Sequence, residues 1–331
     1  MSPTEALAAP TLEQIRAARE RLAGIVRPTP LIRLPLDGVI DDSHEGPPPE
    51  IWLKLENLQP IGSFKLRGAG NAMLAAPREA LSGGVYTASA GNMAQGVAWN
   101  GRRLGVATTV IVPETAPATK LAAIERLGGK ILKVPFDRWW QVLVEHGYPG
   151  LDGLFIHPVS NTQVMAGNGT MALEILDELP DVDTVLVPYG GGGLSVGIAA
   201  ALKALRPSAQ VIACEVETAA PLSAALAAGE PVPIEHRPSF VDGIGGKSLL
   251  PEMWPLAHEY LGSAHTFSLV QICAAIRLLA ERCRVIAEGA GAASVAAALA
   301  GAGRGKKVVC VVSGGNLDFA KLGTILAGGV P

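Results

Sequence analysis

From residue 51 onward, short and almost uninterrupted apolar runs alternate with helical stretches, and this order leaves few folds open. The runs are 51–56, 85–89, 108–112, 130–134, 153–157, 184–188, 211–216, 265–269 and 307–312. Continuous rather than alternating apolar runs are what strands covered on both faces require. Between them, 92–104, 116–127, 166–178 and 194–205 have helical composition. The alternation predicts an α/β fold with two parallel-sheet domains and helices on both faces. No linker or tandem repeat separates the halves, so a second domain is expected as an insertion into the first. Ahead of this region, Thr11 is a candidate cap for a helix ending near Gly24. The proline-flanked stretch 27–31 must then be extended. Residues 41–50, with three consecutive prolines, read as a surface loop.

Composition narrows the function. With 331 residues, 49% apolar and 17% charged, the chain can bury a large core. Net charge is −3 and the basic residues are scattered, so no nucleic-acid partner is expected. No stretch of about 20 apolar residues suggests a membrane span, and Glu5 and Glu13 interrupt any secretory leader. Cys214, Cys273, Cys283 and Cys310 show neither disulfide nor zinc spacing, which fits a reducing, cytoplasmic setting. The apolar stretch 287–303, which carries Glu288, reads as a buried helix.

Four motifs can carry chemistry. In Pro60-Ile61-Gly62-Ser63-Phe64-Lys65-Leu66-Arg67-Gly68, a glycine turn leads to a helix with Ser63 as candidate cap and Lys65 in its first turn. The positive helix end and neighbouring Arg67 are expected to lower the Lys65 pKa and favour the neutral amine that carbonyl condensation needs. The second motif runs from strand 184–188 through Tyr189 into Gly190, Gly191, Gly192 and Gly193, then Leu194. Converging N–H groups at a helix start form an anion cradle, and four glycines weaken any regular element they occupy. The third, Ser89-Ala90-Gly91-Asn92-Met93, opens a helix after a strand and can offer N–H groups to a carboxylate. The fourth delivers Ser313 at the C-terminal end of a buried strand, followed by Gly314, Gly315 and Asn316. A nicotinamide-binding oxidoreductase is a rival reading of the glycine loop, but Ser195 and Val196 break the G-x-G-x-x-G spacing. Val241 likewise rules out a P-loop ahead of Gly246-Lys247-Ser248.

Taken in order, these motifs resemble the fold-type II pyridoxal-phosphate family, the group typified by the tryptophan synthase β-subunit. Within it they are most similar to the threonine and serine dehydratase branch, with serine racemase as a near relative. The resemblance implies a lyase using pyridoxal 5'-phosphate, in which Lys65 is the Schiff-base lysine and Phe64 flanks the cofactor. Gly190 to Leu194 would cradle its phosphate, Asn92 would bond the ring 3'-oxygen, and Ser313 would meet the pyridine nitrogen. Ser89, Ala90, Gly91, Asn92 and Met93 would wrap the substrate carboxylate. The freed Lys65 amine would remove the Cα proton, and loss of the β-hydroxyl would end in a 2-oxo acid and ammonia. The expected division is 1–81 with 161–331 as the large cofactor-binding domain and 82–160 as the small inserted one. A homodimer or homotetramer acting on a small amino acid is expected, and a regulatory C-terminal domain is not.

Departures from the family pattern set the specificity question. Ala90 stands where racemases carry a serine, which argues for elimination without racemisation. Met93 replaces a common histidine and Tyr189 a small aliphatic, and both are expected to bear on substrate preference. Other β-hydroxy amino acids therefore stay open as substrates, including hydroxyaspartate, phenylserine and hydroxyectoine-derived compounds. Glu215 matches a divalent-cation ligand of some relatives, but Pro221 replaces a second acidic ligand, so no metal is expected. Trp139 and Trp140 read as core, lid or interface residues.

Overall fold

The computed structural model describes residues 7–36, 49–303 and 305–331. Its strands are β1 (Leu31–Arg33), β2 (Glu50–Lys54), β3 (Val85–Ala88), β4 (Thr108–Pro113), β5 (Lys130–Val134), β6 (Leu154–Phe155), β7 (Thr184–Pro188), β8 (Gln210–Val216), β9 (Ser263–Phe267) and β10 (Lys307–Val311). Six form one sheet in the order β1-β2-β10-β7-β8-β9, and four form a second in the order β5-β4-β3-β6. All pairings are parallel except β1 against β2, where Leu31 faces Lys54. The helices are α1 (Leu12–Arg21), α2 (Lys65–Ala75), α3 (Asn92–Leu104), α4 (Ala118–Arg126), α5 (Phe136–Val144), α6 (Thr162–Glu178), α7 (Gly193–Leu205), α8 (Pro221–Ala228), α9 (Trp254–Tyr260), α10 (Leu269–Leu278), α11 (Gly289–Leu299) and α12 (Phe319–Leu326).

The large sheet is covered on both faces, and its strands divide their side chains by parity. Val185, Val187, Val309 and Val311 turn towards Ile15, Met165, Ile198 and Met253 on one side. Leu53, Leu186, Val308 and Cys310 turn towards Ile276, Ala293 and Val295 on the other. Each such fully buried aliphatic contributes about 1.5–3 kcal/mol of transfer free energy. The small sheet packs Val85 against Met73, Val97 and Val164, and Ile111 against Val142. Trp139 and Trp140 also pack against this second group, with Trp140 reaching the core of the large sheet as well. All four cysteines are free, and no helix among the described residues is long and apolar enough to cross a membrane.

Local chemistry explains where observed boundaries differ from those expected. Run 153–157 shortens to β6 because His157 Nδ1 accepts from the N–H groups of Val159 (3.1 Å) and Ser160 (2.6 Å), which turns the chain. Run 265–269 stops at Phe267 because Ser268 and Gln271 form a capping box for α10. The helix expected at 166 begins at Thr162, capped by Asn161 through the N–H of Val164. Thr11 caps α1 as expected, in a capping box with Gln14. Strand β1 was read only as extended chain. Of loop 41–50, residues 41–48 lie outside the described residues, and Glu50 opens β2.

Candidate active site

Four of the strands deliver their following residues to one region. After β2 come Ser63, Phe64 and Lys65; after β3, Ser89 to Met93; after β7, the glycine run; after β10, Ser313 to Asn316. The first and last are joined directly. Ser63 pairs with Gly314 in an isolated bridge, Phe64 N–H donates to the Ser313 carbonyl (3.0 Å), and Gly315 N–H donates to the Gly62 carbonyl (2.9 Å).

Ser63 does not cap α2. Phe64 occupies the cap position with no side-chain bond, and the buried Ser63 hydroxyl has no partner among the described residues. Lys65 Nζ donates to the Pro158 carbonyl at 3.1 Å and lies 5.1 Å from the Phe64 ring centroid. Its pKa is lowered to about 8 by burial, with the Glu288 carboxylate opposing the shift. The direction matches the expectation, but the cause does not involve Arg67. That guanidinium is taken up by Glu56 (2.7 and 2.8 Å) and Glu174 (2.6 and 2.9 Å). Lys54 Nζ joins the cluster, 2.7 Å from Glu174 and 2.6 Å from the Thr29 carbonyl. The two buried cations face Glu56 and Glu174, and Glu178, half exposed, lies 3.7 Å from Lys54 Nζ at the solvent edge, so no charge in the buried part is left unmatched. The cluster anchors α2, the helix that Lys65 opens.

The glycine run is shaped as a cradle. The N–H groups of Gly191, Gly192, Gly193 and Leu194 donate to no protein acceptor among the described residues, and they stand at the positive end of α7. A Cβ on Gly191 would lie 2.8 Å from both Val159 methyl carbons, and Gly192 has φ +97°, a left-handed conformation suited to glycine. Asn168 Nδ2 holds the loop through the Gly193 carbonyl at 3.1 Å. Free amides, a helix end and a lysine amine of depressed pKa together fit a phosphorylated aldehyde, the chemistry that pyridoxal 5'-phosphate presents.

Between Ser89 and Met93, Gly91 N–H is taken by Ser89 Oγ (3.2 Å), while those of Asn92 and Met93 have no protein acceptor among the described residues. The Asn92 amide is engaged at both ends: Nδ2 donates to Glu288 Oε1 at 2.7 Å, and Oδ1 accepts from Asn316 Nδ2 at 2.8 Å. The Met93 side chain is almost wholly buried. It is buried among Ala69, Met73, Val97 and Val164. Tyr189 is fully buried as well. The Glu215 oxygens accept from the N–H groups of Leu222 and Ser223 and from Ser223 Oγ, at 2.6–2.8 Å. His146, His157 and Glu252 also lie close together. His157, however, spends Nδ1 on two backbone N–H groups, and its Nε2 lies 3.2 Å from the Leu143 carbonyl.

Sequence reasoning did not assign Glu288 to this region, and it included Asn316 in the fourth motif without a role. Burial pushes the Glu288 carboxyl up to about 7, with Asn92 opposing. A lone acid in the alanine- and glycine-rich run 287–303 was the available signal.

Comparison with known proteins identifies the family. Residues 22–314 match the family model described as pyridoxal-phosphate dependent enzyme. L-threonine ammonia-lyase of Thermotoga maritima is 37% identical over 97% of this chain and 79% of its own length. Catabolic L-threonine dehydratase of Staphylococcus aureus is 36% identical, covering 97% and 93%. Maize serine racemase superposes with a TM-score of 0.86 at 29% identity, covering 97% of this chain and 98% of that one. The chain belongs to the pyridoxal-phosphate dependent enzyme family and has its fold-type II architecture.

Proposed function

We propose that the chain is an L-threonine or L-serine ammonia-lyase that eliminates the β-hydroxyl of a small amino acid to give a 2-oxo acid and ammonia. The observation that carries this reading is the convergence of a partly buried Lys65 amine, its pKa depressed by burial, with the unbonded amides of Gly191 to Leu194. The ammonia-lyase and dehydratase relatives, 36–37% identical over 97% of the chain, support the substrate class.

When bound, the cofactor supplies an electron sink that acidifies the Cα–H bond of an amino acid. Within this reading, Lys65 is the attachment point and the base that takes the Cα proton. The amides of Gly191, Gly192, Gly193 and Leu194, with Gly190 opening the loop, hold the phosphate. Asn92, fixed by Glu288 and Asn316, would bond the ring oxygen, and the free N–H groups of 89–93 would hold the substrate carboxylate. Ser313 offers a neutral hydroxyl, which leaves its partner uncharged and favours loss of a leaving group over transamination.

Ala90 carries no hydroxyl to serve the second face of Cα, so elimination is favoured over the racemisation named for the maize neighbour. A nicotinamide-dependent activity is set aside by family membership. We further propose that residues 82–160, which contain the four-stranded sheet, act as the small inserted domain on a larger one made of 1–81 and 161–331. A cytoplasmic homodimer or homotetramer completes the proposal.

The test is 2-oxo acid release from a panel of β-hydroxy amino acids including L-threonine and L-serine. Rapid release from either is expected. Release only from another member, such as hydroxyaspartate or phenylserine, would overturn the substrate assignment and leave the chemistry standing.

A further inference from the structure

His157 lies just after β6, outside the four motifs, and is 2% exposed. Its Nδ1 accepts from the N–H groups of Val159 (3.1 Å) and Ser160 (2.6 Å), and its Nε2 lies 3.2 Å from the Leu143 carbonyl. One form of the imidazole satisfies all three contacts, with Nδ1 bare and Nε2 protonated. A proton on Nδ1 would set a donor against two donors. The surroundings favour the neutral ring: burial lowers its pKa to about 3, His146 (stacked at 4.5 Å) and Lys65 act in the same direction, and Glu252 opposes them. The turn held in this way touches both halves of the candidate site. The Pro158 carbonyl accepts from Lys65 Nζ at 3.1 Å. The Val159 methyl carbons lie 2.8 Å from where a Cβ on Gly191 would stand, and its carbonyl oxygen lies 3.0 Å from the same point on Gly193, so Val159 packs directly on the glycine run. Ser160 Oγ donates to Glu252 Oε1 at 2.8 Å, next to Met253, whose Cε rests against Gly192. Adjacent residues thus join the lysine to the anion cradle, and their backbone is tied to one ring nitrogen. Groups that must meet two ends of one ligand need their separation held to about 0.5 Å.

We propose that His157 is a positioning residue: by holding the Val159 and Ser160 N–H groups on Nδ1, it sets the distance between the Lys65 amine and the glycine run. The inference rests on the reading that this lysine and this run hold the two ends of pyridoxal 5'-phosphate. A ligand that engages both ends depends on the turn, and one that engages the lysine alone does not.

The experiment compares full-length wild type, His157→Asn and His157→Gln, each freed of cofactor. It measures their affinity for pyridoxal 5'-phosphate and for pyridoxal, which keeps the aldehyde and lacks the phosphate. Both variants lose the ring. The Asn carboxamide oxygen takes the place of Nδ1 and can accept from the turn, whereas the Gln amide reaches the place of Nε2. The expected result is that His157→Asn keeps the wild-type preference for the phosphorylated aldehyde to within about threefold and His157→Gln loses roughly tenfold of it, with pyridoxal bound alike by all three proteins. A parallel loss for both aldehydes, or an equal preference in the two variants, would overturn the proposal. A wild type that binds the two aldehydes equally would overturn the cradle and the inference with it, whereas a preference undiminished in His157→Gln overturns the inference alone. Nitrogen-15 NMR of wild type tests the same claim without any substitution. His157 should carry its proton on Nε2 and none on Nδ1 between about pH 5 and 8, and a protonated Nδ1 in that window would overturn the proposal.

Discussion

Asn92 Nδ2 stands 2.7 Å from Glu288 Oε1, which ties the first residue of α3, beside the small sheet, to the residue that caps α11 against the large one. The carboxyl at this junction is buried and titrates near 7, above its ordinary 4.5. The folded state therefore binds the proton more tightly than the unfolded state. Its contribution to stability is full below about pH 4.5 and is lost as pH rises through 7. Glu288→Gln removes this dependence. Relative to that variant, wild type should lose up to about 3 kcal/mol between pH 4.5 and 7.5. Urea unfolding of both proteins at the two pH values measures the difference, and a flat difference would show that Glu288 does not titrate in this range.

Lys65 gives a second pH signature. Burial depresses its amine to about 8, so the fraction ready to condense with an aldehyde rises through that pH and not through 10.5. The rate of cofactor uptake by cofactor-free protein should show a midpoint near 8. Because Glu288 opposes the depression, Glu288→Gln should move the midpoint lower. A midpoint near 10 in wild type would refute the burial argument. Lys65→Ala should abolish turnover.

The glycine cradle can be tested sterically. In Gly191→Ala the new methyl would lie 2.8 Å from the Val159 methyl carbons, whereas in Gly193→Ala it would lie 3.0 Å from the Val159 carbonyl oxygen. Both variants should hold cofactor at least tenfold more weakly. Adding Val159→Ala should restore much of the loss in the first and little in the second, because a side chain can be trimmed and a backbone oxygen cannot. Fluorescence titration of cofactor binding to the four proteins separates the cases.

The cluster of Arg67, Glu56, Glu174 and Lys54 carries a stability prediction. Arg67→Met leaves two carboxylates facing one lysine in a buried site, and should cost about 3–5 kcal/mol. Glu56→Gln combined with Arg67→Met should be less damaging than the sum of the single changes, because the double variant removes one unmatched charge. Denaturant midpoints of the three variants provide the check.

The fold was legible in the sequence because each buried strand announces itself as an apolar run, and the observed β4, β5, β7, β8 and β10 lie within a residue of expectation. The glycine run and Lys65 were legible because their residue types have few structural uses. What escaped notice depends on contacts between distant segments. Arg67 sits two residues from Lys65, yet it answers to Glu56 and to Glu174, 107 positions away. The Met93 side chain turns inward because α3 presents that face to Val164. The Asn92–Glu288 contact spans 196 positions, and no local pattern can disclose it.

Strand β10 lies between β2 and β7 in the large sheet. During synthesis, the segment carrying Lys65 and the segment carrying the glycine run therefore have no shared sheet until residues 307–311 emerge and insert between them. Such long-range closure is slow compared with local pairing. A nascent chain halted before β10 carries Lys65 and the glycine run but lacks the strand that joins β2 to β7 in one sheet. Completion of the large sheet, and with it of the candidate site, is thus a late event in the life of the chain.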